Sequence, residues 1–300
     1  MVADYKRIAQ KIADLSPGTS IHIVPDTFHR GPVMERLGAL PSITFSPAIL
    51  KNFKPPRGPI YSGQRIPKSE QLKLLSRAGI RVPMWTFLTP NKSIAEGEWG
   101  ELVIVKPNAF GLASNSLGVE LVCTRAVQFV PSGAYPVDHP GRAGPMLVQQ
   151  FIDTGDYSED YRVITIFGKP LYAFKRISRV KLERPSIQGF DRISKGVASY
   201  AAEATQREAH LCYDKDVLEL ASRVYLAIPT VPFQAVDMRR DANNGHLFCL
   251  EINPGGNTWN FSSKIAGALP TIDGVRREGQ FGAWEISAKA LLSVAQSHAK

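Results

Sequence analysis

Residues 231–261, VPFQAVDMRRDANNGHLFCLEINPGGNTWNF, constrain the fold of this chain most strongly. Two strand-like runs, which end in Asp237 and Glu251, flank a polar Asn-Asn-Gly turn, and this pattern predicts an antiparallel hairpin. Residues two apart on a strand share a face, so Asn253 lies on the face of Glu251, and Asp237 can face both from the neighbouring strand. Two carboxylates and an amide oxygen suit a hard cation such as Mg²⁺ beneath a nucleotide triphosphate. An ordinary surface hairpin is the alternative.

The composition is that of a globular chain. Of its 300 residues, 44% are hydrophobic and 21% are charged, which is typical of a protein with two or three subdomains. No run approaches the ~20 apolar residues that cross a bilayer. The N-terminal sequence MVADYKRIAQKIADL lacks the apolar core of a signal peptide and predicts an amphipathic helix. Cys123, Cys212 and Cys249 have no metal-ligand spacing, and we expect a cytoplasmic protein.

The net charge of +9 indicates an anionic ligand. Nine Lys or Arg residues and only two acids lie between Arg162 and Lys195, so this one segment carries most of the excess. The chain has no basic tail and no repeated cation–aromatic pattern, so nucleic acid is not the expected partner. Arg184, Arg192 and Lys195 are instead candidates for binding an anionic second substrate, such as an acidic amino acid or peptide.

The chain begins with a small predicted α/β unit. Residues 21–24 (IHIV) and 42–45 (SITF) are predicted strands, with a short helix over residues 32–40 between them. A connector rich in Pro and Lys ends the unit near residue 60. The unit is too short for a dinucleotide-binding domain, and no GxGxxG follows either strand. Neither GxxxxGKS nor GxxxxGKT occurs in the chain, which excludes a P-loop.

Two lysines follow at the ends of predicted elements. Lys68 begins a helix that Ser69 can cap and Gly79 ends, although a cation is unfavourable at the positive end of a helix dipole. A buried-type strand over residues 102–105 delivers Lys106, and the loop after it is rich in glycine and small polar residues. Such a loop can bring backbone N–H groups close to phosphate oxygens. A solvent-facing lysine and a plain hairpin connection are the alternatives.

A three-stranded meander is predicted over MLVQQFI, YRVITIF and LYAFKRI. Arg162, Lys175 and Arg176 are its charged strand positions. Long cations beside a carboxylate pair suit a triphosphate, although edge strands also carry Lys and Arg to prevent pairing between sheets. The six histidines are scattered, and no Ser/His/Asp or Cys/His set is present, so no nucleophilic side chain is predicted.

In this order the motifs resemble the ATP-grasp superfamily, in particular carboxylate–amine ligases of the D-alanine–D-alanine ligase and glutathione synthetase type. The resemblance rests on Lys68 with its helix, VIVKP, the Gly-rich loop, VQQFI, the FKR segment and VD…LEINPGG, and it covers about residues 66–260. It implies an α+β fold in which two α+β subdomains clamp a nucleotide. The implied parts are a shortened N-terminal α/β domain (1–65), a small lid subdomain (66–148) and a large subdomain with the magnesium and substrate sites (149–300).

The resemblance also implies a set of site residues and cofactors. The cofactors are ATP and Mg²⁺, with Mn²⁺ as its substitute. The residues matched to the metal ligands are Asp237, Glu251 and Asn253, and those matched to catalytic cations are Arg176, Lys106 and Arg162. The residues matched to nucleotide contacts are Lys68, Lys106, Gly111, Ser114, Asn115, Gln149, Gln150, Phe151, Ile152, Asp156, Lys175 and Arg176.

Three positions depart from the family pattern or leave a choice open. Gln149 or Gln150 stands where an acidic residue is common, which leaves the side-chain contact to adenine open. Glu159 competes with Asp156 for the ribose hydroxyls. Ala235 occupies a position at which D-alanine–D-alanine ligase has an arginine that steadies the acyl phosphate, so another cation of this chain must take that role.

The implied reaction is the ATP-dependent joining of a carboxylate to an amine through an acyl phosphate, with release of ADP and phosphate. Asn257 and Trp259, just past the metal ligands, are the candidate substrate residues, with packing as the alternative for Trp259. The expected partners are small carboxylates and amines, such as amino acids or small peptides, with no membrane partner and a homodimer left open. A kinase acting on a hydroxyl and a non-catalytic ATP-binding regulatory protein are the alternative functions.

Overall fold

The computed structural model describes residues 2–28, 31–108, 117–194, 207–255, 259, 261–262 and 271–299. Within these residues, helices and antiparallel sheets are mixed along the chain, and the predicted α+β fold class is confirmed. The helices are α1 (Val2–Leu15), α2 (Pro32–Ala39), α3 (Lys68–Arg77), α4 (Glu96–Trp99), α5 (Lys215–Ala227) and α6 (Ala283–His298). None of the helices in the described part of the chain combines the length and apolarity that a membrane span requires.

Most of the strands belong to two five-stranded sheets. The strands are β1 (Thr44–Phe45), β2 (Ile60–Tyr61), β3 (Trp85–Phe87), β4 (Leu102–Pro107), β5 (Glu120–Cys123), β6 (Met146–Gln150), β7 (Tyr157–Ile166), β8 (Lys169–Lys181), β9 (Arg192–Ile193), β10 (Arg207–Leu211), β11 (Phe233–Arg240), β12 (Leu247–Asn253), β13 (Thr271–Ile272) and β14 (Val275–Arg276). The first sheet has the order β3-β6-β4-β5-β9, and the second has the order β10-β8-β7-β11-β12. Both are antiparallel throughout.

The second sheet separates two hydrophobic cores. One face packs against α3 and α5 through Val163 of β7 and Met238 of β11. The other face packs against α1 and α6 through Ile164 and Ala235 of the same two strands. Neighbouring residues therefore alternate between the two cores, which explains why β7 and β11 are buried on both faces over most of their length.

Further along β7 and β11, the face that carries Ile164 and Ala235 opens to a cavity. Asp160 shares this face because it is an even number of residues from Ile164, and Asp237 and Arg239 share it with Ala235. All three charged side chains line the cavity. The covering helices thus leave one end of the sheet face open to this cavity.

The first sheet also uses its two faces differently. Val103 and Val105 of β4 pack with Trp99 in a core on one side. Ile104 and Lys106, which alternate with them, face the cavity on the other side. The predicted strand ending at Lys106 is therefore confirmed, and its alternation places the lysine toward the second sheet.

The N-terminal segment differs from the prediction in one element. The predicted helices are confirmed as α1 and α2, but residues 21–24 are not a strand. The parallel ladder of β1 and β2 is only two residue pairs long and gives this segment no partner, so Ile21 packs as a side chain against the core beneath α1. Because α1 shares that core with α6 and the second sheet, the boundary at residue 65 stays a prediction.

Candidate functional site

A cavity lies between the two five-stranded sheets. Its empty space, which includes open solvent at its mouth, measures about 810 Å³. The first sheet and the helix start at Lys68 form one side, and strands β7, β8, β11 and β12 form the other. The lining side chains are Lys68, Ile104, Lys106, Val119, Gln149, Gln150, Phe151, Ile152, Asp160, Arg176, Asp237, Arg239, Leu250 and Glu251.

A β-bulge in β12 aims its acid at this cavity. The register pairs Asp237 of β11 directly with Glu251 and then shifts before Cys249, so Leu250 is an extra residue. A bulge interrupts the alternation of a strand. As a result, Cys249 and Ile252 both point into the core, whereas Leu250 and Glu251 both line the cavity. The predicted hairpin is confirmed, and the bulge explains why Glu251 faces the cavity.

Asp237 is held by its neighbours on both sides. Arg162 lies opposite it on β7, and its Nε and Nη2 donate to the two carboxylate oxygens at 2.6 and 2.7 Å. The side-chain amide of Asn253 donates to Oδ2 of Asp237 at 2.8 Å. Burial opposes the charge of Arg162, but the carboxylate of Asp237 raises the pKa of its guanidinium above the ordinary value. A cation and a carboxylate are therefore fixed side by side at the cavity wall.

Two lysines surround Glu251. The ammonium of Lys68 forms an ion pair with its carboxylate, and Lys106, which is 7% exposed, lies near enough for its charge to act on it. Burial opposes ionisation of Glu251, but Lys68 and Lys106 outweigh it and lower the pKa of Glu251 to about 2. Burial lowers the pKa of Lys106 to about 8. Glu251 is thus ionised at neutral pH, whereas Lys106 loses its charge in mildly alkaline solution.

The end of β4 also fixes the position of Lys68. Asn108 follows β4, and its side-chain oxygen accepts from the Ser69 N–H at 2.8 Å, while its carbonyl accepts from the Lys68 N–H at 3.2 Å. The predicted cap by the Ser69 side chain is wrong, because α3 begins at Lys68 and Pro67 is the N-cap residue. Asn108 supplies the capping oxygen instead, and it couples the helix start to the strand of Lys106.

A row of buried charges crosses the second sheet beside Asp237. Asp160 of β7 pairs with Arg176 of β8 and accepts from its Nε at 2.5 Å, and Arg207 donates to the same carboxylate at 3.3 Å. Arg239 of β11 donates to the Ser158 hydroxyl at 3.1 Å. The sequence reasoning found Arg176 but missed Asp160 and Arg239. Each lies two residues from a predicted site residue on its strand, so strand alternation was the signal that identifies them.

The end of β6 forms a further wall of the cavity. Gln149, Gln150, Phe151 and Ile152 all line it. The Gln149 side chain is buried, and Oε1 of Gln150 accepts from the Met84 N–H at 3.3 Å. The structure thus gathers the whole predicted hinge segment at the cavity. Its contact with an adenine ring stays a prediction.

Two other predicted nucleotide contacts lie away from the cavity lining. Asp156 is exposed and pairs with Lys181 at 2.9 Å. Lys175 pairs with Glu159 at 2.8 Å and, as the strand neighbour of Arg176, points to the opposite face of the sheet. The structure therefore does not bring Asp156 or Lys175 to the site, and Glu159, the competitor of Asp156, is on the opposite face as well.

The remaining predicted contacts fall in two groups. Outside the described residues lie Gly111, Ser114, Asn115 and Asn257. Trp259 is described and is 3% exposed. Its ring stacks on Tyr5 with 5.4 Å between centroids, and its Nε1 donates to the buried carboxylate of Asp4 at 2.9 Å. Trp259 therefore joins α1 to the core. Of the two roles predicted for it, the structure supports packing and not contact with a substrate.

The basic segment is largely neutralised by local partners. Arg184 donates to both carboxylate oxygens of Asp153 at 2.8 Å. Arg192 lies 3.6 Å from Glu120, while Lys195 lies outside the described residues. Because Arg184 and Arg192 already have acidic partners, this segment gives little support to a separate anionic substrate site.

The donors around Glu251 fit a hard cation. The carboxylates of Asp237 and Glu251 and the side-chain amide of Asn253 stand on two neighbouring strands at the cavity, and oxygen donors are what Mg²⁺ prefers. The ammonium of Lys68 on Glu251 shows that this position accepts positive charge. Among the described residues, no three His, Cys, Asp or Glu side chains cluster as a metal site. The amide oxygen and ligand oxygens would have to complete the coordination.

No family model and no curated protein matches the chain. Among solved structures, it is similar to the ATP-grasp ligase PsnB complexed with minimal precursor, with 18% identity and a TM-score of 0.43, covering 76% of this chain and 61% of that chain. It is also similar to D-alanine–D-alanine ligase from Bacillus anthracis, with 15% identity and a TM-score of 0.43, covering 77% of this chain and 67% of that chain. A third similar structure is D-cycloserine synthetase DcsG, with 17% identity and a TM-score of 0.45, covering 76% of this chain and 70% of that chain. The chain thus spans about three fifths of the length of PsnB.

Proposed function

We propose that the protein is an ATP- and Mg²⁺-dependent ligase that joins a carboxylate to an amine through an acyl phosphate, with release of ADP and phosphate. The observation that carries the proposal is the convergence of Lys68, Lys106, Asp237 and Glu251 at one cavity. Lysines neutralise phosphate oxygens, and paired carboxylates hold the magnesium ion that accompanies a triphosphate. The order of the sequence motifs supports the same function.

Nucleotide binding would rearrange the charges around Glu251. The ammonium of Lys68 is paired with this carboxylate, and a triphosphate offers it a stronger anionic partner. Its release would leave the oxygens of Glu251, with those of Asp237 and Asn253, for Mg²⁺, which neutralises phosphate charge when bound. Lys106 is buried at the same wall and holds its charge at neutral pH.

The first chemical step is attack of a substrate carboxylate oxygen on the γ-phosphorus of ATP. The bond between this phosphorus and the β,γ-bridging oxygen breaks, and ADP leaves with the bonding electron pair. Lys68 and Lys106 would stabilise the negative charge that spreads over the phosphate oxygens. The product is an acyl phosphate, whose carbonyl carbon is open to a nucleophile.

In the second step, an amine nitrogen attacks that carbon, the bond to the phosphate oxygen breaks, and the nitrogen loses a proton. Ala235 is fully buried in the core and offers no charge to this step. Arg162, fixed on Asp237 at 2.6 Å, is a cation next to one of the proposed metal ligands and would steady the acyl phosphate. The chemistry requires no nucleophilic side chain of the protein.

ATP turnover with a panel of amino acids, small peptides and di-acids tests this proposal. The wild type would be compared with Glu251→Gln and with Glu285→Gln, an exposed helix position paired with Lys289. We expect substrate-dependent ADP and a hydroxamate trapped by hydroxylamine, both lost only in Glu251→Gln. ADP without a hydroxamate would favour the kinase, and ATP binding without turnover on the panel would favour the regulatory protein.

A further inference from the structure

The cavity has two levels along the second sheet. Asp237 and Arg239 lie two residues apart on β11, which places them roughly 7 Å apart along one face. On β4 of the facing sheet, Ile104 and Lys106 are also two residues apart on the cavity face. Lys106 and Asp237 belong to the level proposed for the phosphates. Arg239 lies one step further along β11, on the side of Leu250, the extra residue of the bulge. Ile104 pairs with Gln149 of the predicted adenine hinge, and the apolar side chains of Ile104 and Leu250 both line the cavity.

Arg239 is a buried cation with an unused donor. Its side chain is 8% exposed, and its Nη2 donates to the Ser158 hydroxyl at 3.1 Å. Its Nε is buried and has no hydrogen-bond partner among the described residues. A buried donor that is left unpaired is costly, so this N–H is suited to an acceptor supplied by a ligand.

The surroundings of Arg239 are short of negative charge. Asp160 acts on it most strongly among the acids, but that carboxylate already accepts from Arg176 and Arg207. Asp153, the next acid, is paired with Arg184. Because the side chain is buried, the charge of Arg239 is held in an unfavourable environment. An electron-rich ligand would relieve that cost.

We infer that Arg239 is a specificity-determining residue that binds the nucleoside half of the nucleotide. The inference rests on the proposed function. A planar base offers ring acceptors and a π-face to a guanidinium, and Ile104 and Leu250 suit its apolar surface. A phosphate belongs instead to the level of Lys106 and Asp237. Arg239 therefore distinguishes a nucleotide from a bare triphosphate.

Calorimetric titrations with ATP and with inorganic triphosphate, both with Mg²⁺, test this inference. Arg239→Met keeps the length of the side chain and removes its charge and donors. Arg239→Lys keeps the charge but loses the planar fork. Arg240→Met removes the same charge from the next residue, which pairs with Asp216 outside the cavity lining. Far-ultraviolet circular dichroism confirms that each variant is folded.

We expect Arg239→Met to weaken ATP binding by about tenfold or more, as for a desolvated cation–π or charged hydrogen bond. Triphosphate binding should match that of Arg240→Met. Arg239→Lys should also weaken the binding of ATP without weakening that of triphosphate. If Arg239→Met does not fold, the result for Arg239→Lys tests the inference by itself.

Two results would overturn the inference about Arg239 but leave the proposed function standing. The first is an equal loss of affinity for ATP and for triphosphate, which would make Arg239 a phosphate ligand. The second is unchanged ATP affinity in both Arg239 variants. A wild type that binds neither ligand would instead refute the proposed function itself, and the role of Arg239 with it.

Discussion

The ammonium of Lys68 and the carboxylate of Glu251 form an ion pair at the cavity wall, between the start of α3 and the bulged strand β12. Both side chains are proposed to bind parts of the same ligand, Lys68 a phosphate and Glu251 the magnesium ion. In the protein without ligand, Lys68 therefore competes with the magnesium ion for Glu251, and Glu251 competes with the phosphate for Lys68. This relationship gives the two halves of the site opposite responses to one substitution.

Replacing Lys68 by Met should strengthen the binding of Mn²⁺ alone, because the competing ammonium is removed from Glu251. The same change should weaken ATP binding, because a phosphate contact is lost. Mn²⁺ titration by electron paramagnetic resonance and ATP titration by calorimetry measure the two effects. Lys73→Met, at an exposed position of the same helix, is the control. Weaker binding of both ligands would contradict this reading of the ion pair.

ATP affinity should decline as the pH rises through about 8. Burial lowers the pKa of Lys106 to about 8, so this lysine is charged below that pH and neutral above it. Loss of one proton that the complex requires reduces affinity by up to about tenfold per pH unit. Calorimetry between pH 7 and about 9.5 measures the decline.

Lys106→Met is the control for this pH dependence. The variant should bind ATP weakly at every pH and should lack the decline that begins near pH 8. The same decline in the variant would assign the titration to another group.

The pair of Arg162 and Asp237 should behave as a buried unit. Their side chains are 12% and 11% exposed, and removing one partner leaves the other charge without its main contact. Arg162→Met and Asp237→Ala should each lower the free energy of unfolding by about 3 kcal/mol or more. The double variant should lose less than the sum of the two, as urea unfolding can show. Additive losses would mean that the two charges do not stabilise each other.

Asn108, and not Ser69, should cap α3. Asn108→Ala removes the acceptor of the Ser69 N–H and should cost about 1 kcal/mol of unfolding free energy. It should also raise the KM for ATP, because the helix start that carries Lys68 is loosened. Ser69→Ala, the matched variant, should cost less and leave the KM unchanged. If thermal and urea unfolding showed a larger loss of stability for Ser69→Ala than for Asn108→Ala, the Ser69 side chain would be the cap.

Local sequence patterns were enough to locate most of the proposed site. The Asn-Asn-Gly turn and the strand runs around it place Asp237 opposite Glu251, and the structure pairs them. The strand run before Lys106 and the start of α3 at Lys68 are local patterns of the same kind. Such patterns succeed because hairpin pairing and strand alternation depend on residues close in sequence.

The same patterns did not reveal which strand face is open to a ligand. Lys175 and Arg176 are both candidate nucleotide contacts in the sequence, but of the two only Arg176 lines the cavity. Residues 21–24 have the composition of a strand but pair with no strand in the described part of the chain. Pairing partners and covering helices come from distant parts of the chain, so propensity alone cannot supply them.

The sequence by itself determined the hairpin, its acids, the two lysines and the mixed α and β elements, because each is encoded in a short window of residues. Only the tertiary structure decided that a bulge turns Glu251 to the cavity, that Trp259 packs on α1, and that Asp160 and Arg239 join the site. Those outcomes depend on which faces of the two sheets are buried by the covering helices. Burial of apolar surface is determined by contacts between distant segments, so no single segment encodes it.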